Sequence, residues 1–106
     1  MKNFRRLPVI AAVLVGGALM ATQTQAAEPS DLRSAVLAST CFACHGTDGK
    51  SPGSIPSIYG FPAQVMEMQL KTFRDGTRAA TVMDRHAKGY TDEEISLIAE
   101  YLSQIK

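Results

Sequence analysis

The stretch that decides the fold is Cys41-Phe42-Ala43-Cys44-His45. Two thiols three positions apart on a helical turn face the same way. They are spaced to form thioether bonds to the two vinyl groups along one haem edge. His45 follows directly and can reach the iron from one face. C-x-x-C-H therefore reads as a c-type haem attachment site. Three other readings compete for a C-x-x-C pair. A thioredoxin-like redox pair calls for a βαβ pattern, and no stretch here alternates with period two. Half a zinc site calls for further Cys or His ligands, and the chain has two Cys and two His in all, His45 and His86. A plain disulfide between Cys41 and Cys44 would close a very small loop and constrain little of the unfolded chain.

Upstream of this run the chain begins as an export signal. Lys2, Arg5 and Arg6 form a positive start, Leu7 to Ala21 is uncharged and apolar, and small residues follow at Thr24, Ala26 and Ala27. That is the order of n-region, h-region and cleavage site. The cut is placed after Ala26, giving a signal peptide over 1–26 and a domain over 27–106. A retained anchor is the other reading, but the apolar run falls short of the roughly 20 residues a spanning helix needs. The whole chain of 106 residues has 11 basic and 10 acidic side chains. Losing Lys2, Arg5 and Arg6 leaves eight basic against ten acidic residues, a formal charge of −2, and nothing that suggests nucleic acid. Export implies the periplasm and an oxidising setting for both cysteines. A domain of about 80 residues rarely builds a sufficient apolar core alone. A large apolar prosthetic group would complete it.

Downstream, the pattern is all-α, with three main helices and two functional loops. Ser30 or Asp31 is placed to cap a helix through Leu32, Val36 and Leu37 that delivers Cys41. From Gly46 to Gly60 the chain is rich in Gly and Pro and reads as loop. A second helix is expected from Pro62, with Met66, Leu70 and Phe73 on one face and Gly76 as its stop. Residues 77–90 read as irregular and hold Met83 and His86. Thr91 and Glu94 form a capping box, and Ile95, Ile98, Tyr101 or Leu102, and Ile105 follow at helical period.

A second axial ligand is sought among Met66, Met68, Met83 and His86. Met66 and Met68 fall inside a helix, where packing is the ordinary role of methionine. Met83 lies in a loop downstream and is ranked ahead of His86. A methionine thioether favours reduced iron and raises the potential.

These residues resemble the class I cytochromes c: helix, CFACHG, proline-containing loop, middle helix, Met loop, final helix. The resemblance covers about Leu32 to Lys106. "IPSIYGFPAQVMEMQLKTFRDGTR" resembles the middle section of small bacterial periplasmic cytochromes. "TVMDRHAKGYTDEEI" is similar to the ligand loop and final helix of that group, in particular of the haem subunits of flavocytochrome c sulfide dehydrogenases. The resemblance implies an all-α class I fold around one covalent haem c. It implies Cys41 and Cys44 as thioether positions, His45 as proximal iron ligand and Met83 as distal iron ligand. Pro56 matches the proline whose carbonyl receives the ligand histidine's ring N–H. Tyr101 would pack where first and last helices cross, with Ala35 or Ala38 as its small partner. The implied function is single-electron transfer, with an FAD-containing, sulfide-oxidising flavoprotein as partner. A free-standing shuttle to an oxidase or reaction centre is the alternative. A haem enzyme with an open iron site, using Asp84, Arg85 and His86, is a further one. Five basic residues between Lys71 and Lys88 (Lys71, Arg74, Arg78, Arg85, Lys88) against Asp75 and Asp84 suggest a rim that steers docking.

Overall fold

Thr91 starts the best-determined element. Its hydroxyl accepts the Glu94 backbone N–H at 3.2 Å, and the Glu94 carboxylate accepts the Thr91 N–H at 3.0 Å. This reciprocal cap satisfies two donors that a helix start otherwise leaves open. The computed structural model describes residues 29–106, so the signal segment expected over 1–26 lies outside the described residues. Those residues form five α-helices: α1 Pro29–Ser39, α2 Phe42–His45, α3 Ala63–Arg74, α4 Met83–Ala87 and α5 Asp92–Gln104, with a 3₁₀ turn at Thr47–Gly49. No strand occurs among them.

The core lies where α1 and α3 pack on α5. Ile95, Ile98, Ala99 and Leu102 of α5 are fully buried, together with Ala38 of α1, and Met66 and Leu70 of α3 complete the cluster. The predicted stripe on α5 is thus the core stripe. Ala38 is the wholly buried small residue on α1, and Tyr101 packs half-buried against the same cluster. Ion pairs fasten the polar start of α5 to both neighbours. Arg33 of α1 reaches Glu93 at 2.5 Å and Glu94 at 3.5 Å. Arg74 of α3 reaches Asp92 at 2.6 Å.

Three sequence expectations change. First, α1 begins at Pro29, so Ser30 and Asp31 lie in its first turn and neither is its cap. Proline suits that place because its missing N–H is one the helix start leaves open. Leu32 and Val36 are 65% and 58% exposed. The side facing α5 is instead carried by Ser34, Leu37 and Ala38. Second, Met83 opens a short helix and does not lie in irregular chain. Five residues are too few to show a helical period. Third, Met68 is 58% exposed and does not pack in the core; Met66, two positions earlier and on the other side of α3, is 5% exposed and does.

A candidate haem site

The proximal side is built from one continuous run. Cys41 follows α1 by a turn in which its N–H bonds the Ala38 carbonyl. His45 N–H then bonds the Cys41 carbonyl at 3.0 Å, so Cys41 and Cys44 belong to one helical turn ending at His45. No disulfide joins the two cysteines; Cys44 is exposed and Cys41 half-buried. Burial pushes the Cys41 thiol up, partly offset by its hydrogen bond with Thr40.

His45 is buried. Its Nδ1 lies 2.6 Å from the Pro56 carbonyl oxygen. A carbonyl only accepts, so Nδ1 carries the hydrogen and donates. That fixes the tautomer: Nε2 keeps its lone pair and is the nitrogen left to bind a metal. This is the contact the resemblance implied for Pro56.

The turn after His45 requires glycine. Gly46 has φ +85°, and a Cβ there would lie 2.2 Å from the Lys50 carbonyl oxygen. Both backbone conformation and space exclude a side chain. Gly46 also bonds onward, its carbonyl accepting from Gly49 N–H at 2.9 Å. The chain is thereby turned back so that Pro56 faces His45.

Met83 is half-buried against the core cluster at the start of α4, which packs on α3. His86 lies one turn further along α4 and is exposed. Asp84 Oδ1 is shut off from solvent and has no hydrogen-bond partner among the described residues. An unpaired buried acceptor costs about 1–3 kcal/mol.

Ile55, Tyr59 and Phe61 of the loop after His45, and Val82 beside Met83, are exposed. A large apolar group would cover such side chains, and the donor set offered beside them is one imidazole Nε2 and one thioether. Those residues fit haem. Among the described residues no three of His, Cys, Asp or Glu gather as a metal-ion cluster.

The basic rim is smaller than the sequence suggested. Lys71 is held by Glu67 at 2.6 Å and Arg74 by Asp92. Arg78 stacks over Phe73, 4.4 Å from the ring centre. Among the described residues Arg85 and Lys88 form no ion pair; both follow Met83, Arg85 within α4 and Lys88 at its C-terminal end. Arg74 holds the Asp92 carboxyl below the usual carboxylate range, and the hydrogen bond with Thr91 does the same for Glu94.

Three structural ties escaped the sequence. Tyr90 and Thr40 hydroxyls meet at 2.7 Å, linking the chain after α4 to the residue before Cys41. Lys50 donates to the Lys106 carbonyl at 2.6 Å. Ser57 accepts the Ser51 N–H at 3.0 Å. All three join residues far apart in sequence or across a loop, where no local pattern marks the partner. Only the neighbouring turn, Ser51 before Pro52-Gly53, carries a local signal, and Gly53 N–H indeed bonds Ser51 Oγ at 3.3 Å.

The chain is also similar to known proteins. A model of the cytochrome c family matches residues 33–106. The chain is 47% identical over 98 residues to the cytochrome subunit of sulfide dehydrogenase of Chlorobaculum tepidum, covering 88% of this chain and 89% of that protein. It is 44% identical to cytochrome c-554(548) of Halomonas halodenitrificans over 60% of this chain and 82% of that one. It is 33% identical to the thiosulfate dehydrogenase electron acceptor of Thiomonas intermedia over 100% of this chain and 48% of the other. An all-helical fold, the CFACH turn and a family match over residues 33–106 together make this chain a member of the cytochrome c family, of class I fold, with a covalently attached haem c.

Proposed function

We propose that this chain is a periplasmic electron-transfer subunit that accepts electrons from an FAD-containing, sulfide-oxidising flavoprotein. The observation that carries the reading is the 47% identity, over 88% of the chain, to the cytochrome subunit of a sulfide dehydrogenase. The 1–26 segment is cleaved on export, leaving 27–106 as the working domain. Cys41 and Cys44 would hold the haem through two thioethers, and His45 Nε2 and the Met83 thioether would ligate its iron. Haem held there supplies reversible one-electron transfer.

The chain's own residues set how that transfer runs. Pro56 holds the His45 proton on Nδ1 and keeps the imidazole in one orientation. The Met83 thioether favours the reduced state and so suits an acceptor. Arg85 and Lys88 beside Met83 offer positive charge to an acidic docking partner, an effect that works mainly on the rate of encounter and weakens with salt. The α5 carboxylates Asp92, Glu93 and Glu94 are engaged within the fold and compete little for that partner.

The test is purification of the native protein from its source membrane-free fraction. A flavin-containing chain co-elutes, and sulfide reduces the haem only when that chain is present. Reduction by sulfide without it, or a cytochrome that elutes alone and is oxidised by a terminal oxidase, refutes the proposal. The ligand assignment has its own check. Met83→Ala loses the thioether-to-iron charge-transfer band, and His86→Ala keeps it.

A further inference from the structure

We infer that Ser57 is a positioning residue for the proximal ligand, its hydroxyl holding the Pro56 carbonyl against His45; the inference rests on the reading of His45 as an iron ligand. Pro56 cannot anchor itself. It has no N–H to donate, and its carbonyl is occupied by His45 Nδ1 at 2.6 Å. The chain on its N-terminal side gives little support. Residues 52–56 are all exposed, and the hydrogen bond found within that run is Gly53 N–H to Ser51 Oγ at 3.3 Å.

The C-terminal side is different. Ser57 Oγ accepts the Ser51 N–H at 3.0 Å, in a part-buried place. Ile58 N–H bonds the Gly49 carbonyl at 2.8 Å. Together these two bonds close the base of the loop immediately after Pro56. Ile58 uses backbone atoms and cannot be removed by a side-chain change. Ser57 is therefore the side chain on which the placement of the Pro56 carbonyl depends. Its hydroxyl oxygen serves here as an acceptor, which threonine can also supply and alanine cannot.

The consequence is electronic. A firm Nδ1–H···O=C bond raises the basicity of a ligating imidazole. A more basic ligand stabilises ferric over ferrous iron, so it lowers the potential. Loosening the carbonyl acts in the opposite direction. Ser57→Ala also leaves a half-buried Ser51 N–H without its partner.

The experiment compares the holoprotein with its Ser57→Ala and Ser57→Thr variants. Midpoint potentials are measured by optical redox titration. Solvent exchange of the His45 ring N–H is followed by proton NMR in the reduced state. In Ser57→Ala the ring proton exchanges about fivefold faster, the factor matching the net loss of one ordinary hydrogen bond. The potential rises, the thioether-to-iron band is retained, and Ser57→Thr restores both values. A lower melting temperature with unchanged potential and exchange overturns the inference, because the hydroxyl would then serve stability alone. Equal shifts in the alanine and threonine variants overturn it as well. Absence of any iron-ligated His45 ring N–H in the wild type overturns the ligand reading, and the inference with it.

Discussion

Ile98→Ala removes three carbons from the centre of the α5 stripe. Ile98 is 1% exposed and lies among Ala38, Ile95, Ala99 and Leu102. Truncating a buried isoleucine to alanine costs about 2–5 kcal/mol, more where neighbours cannot collapse into the space. Two of the flanking residues are alanines with no side chain to extend, which keeps the loss off the low end of that range, at roughly 3–4 kcal/mol. In a domain of this size each kcal/mol lowers the melting temperature by about 4–8 °C, so the variant melts about 12–32 °C below wild type. Thermal unfolding of the oxidised holoprotein, followed by far-ultraviolet circular dichroism, measures this. Val36→Ala is the companion. At 58% exposure it changes stability by under about 0.5 kcal/mol, the range of ordinary surface substitutions. A shift below 5 °C for Ile98→Ala, or comparable losses in the two variants, would refute the placement of the core on the α1–α5 contact.

Gly46→Ala strains a φ of +85° and drives its Cβ into the Lys50 carbonyl; the yield of holoprotein falls severalfold on expression, as read by pyridine haemochrome per milligram of chain. The folded-state carboxyl of Asp92 is depressed, first by its hydrogen bond to Arg74, so its stabilising contribution is complete above the usual carboxylate range and is lost as pH falls through the depressed folded value. Asp92→Asn therefore flattens the decline in melting temperature on acidification below about pH 4.5, and because Asp92 is largely exposed, the difference between the proteins shrinks in 0.5 M salt, within reach of Debye screening. Thr91→Ala breaks the capping box and lowers stability by about 1 kcal/mol, while Thr91→Ser retains most of it; chemical denaturation of the three proteins decides.

Legibility followed the range of the forces involved. The cap at Thr91–Glu94 and the stripe Ile95–Ile98–Leu102 are local in sequence, and both read correctly. The face of α1 did not. Of its three larger apolar residues Leu37 packs on the core while Leu32 and Val36 are exposed, and tight contact with α5 selects Ala38, a side chain small enough for close approach. Hydrophobicity ranks residues by their gain on burial and says nothing of the space on offer. Helix α4 was missed for a related reason. It is a single turn and a half, held by packing on α3 and by bonds such as Lys88 N–H to the Asp84 carbonyl, and its own residues carry no repeat. The basic rim was overstated because charges counted along the chain ignore partners from another helix, here Asp92 reaching back to Arg74 and Lys71.

The two sides of the candidate site differ in the same respect. Everything proximal lies between Cys41 and Ile58 and is joined by short-range bonds: His45 to Cys41, Gly49 to Gly46, Ile58 to Gly49, Pro56 to His45. Such a unit is written as a motif, and a motif is what a reader of sequence can find. Met83 depends instead on the docking of α4 against α3 and on the tie from Tyr90 to Thr40, both long-range. We propose it over Met66, Met68 and His86 as the second ligand; Met66 is buried in the core, Met68 is exposed on the opposite side of α3, and His86 is exposed on α4. A side held by local bonds keeps its geometry when the rest of the fold loosens, and a side held by packing does not. Destabilisation of the α3–α4 contact should therefore release Met83 while His45 stays in place, so the thioether-to-iron band disappears at a lower denaturant concentration than the histidine-bound haem spectrum.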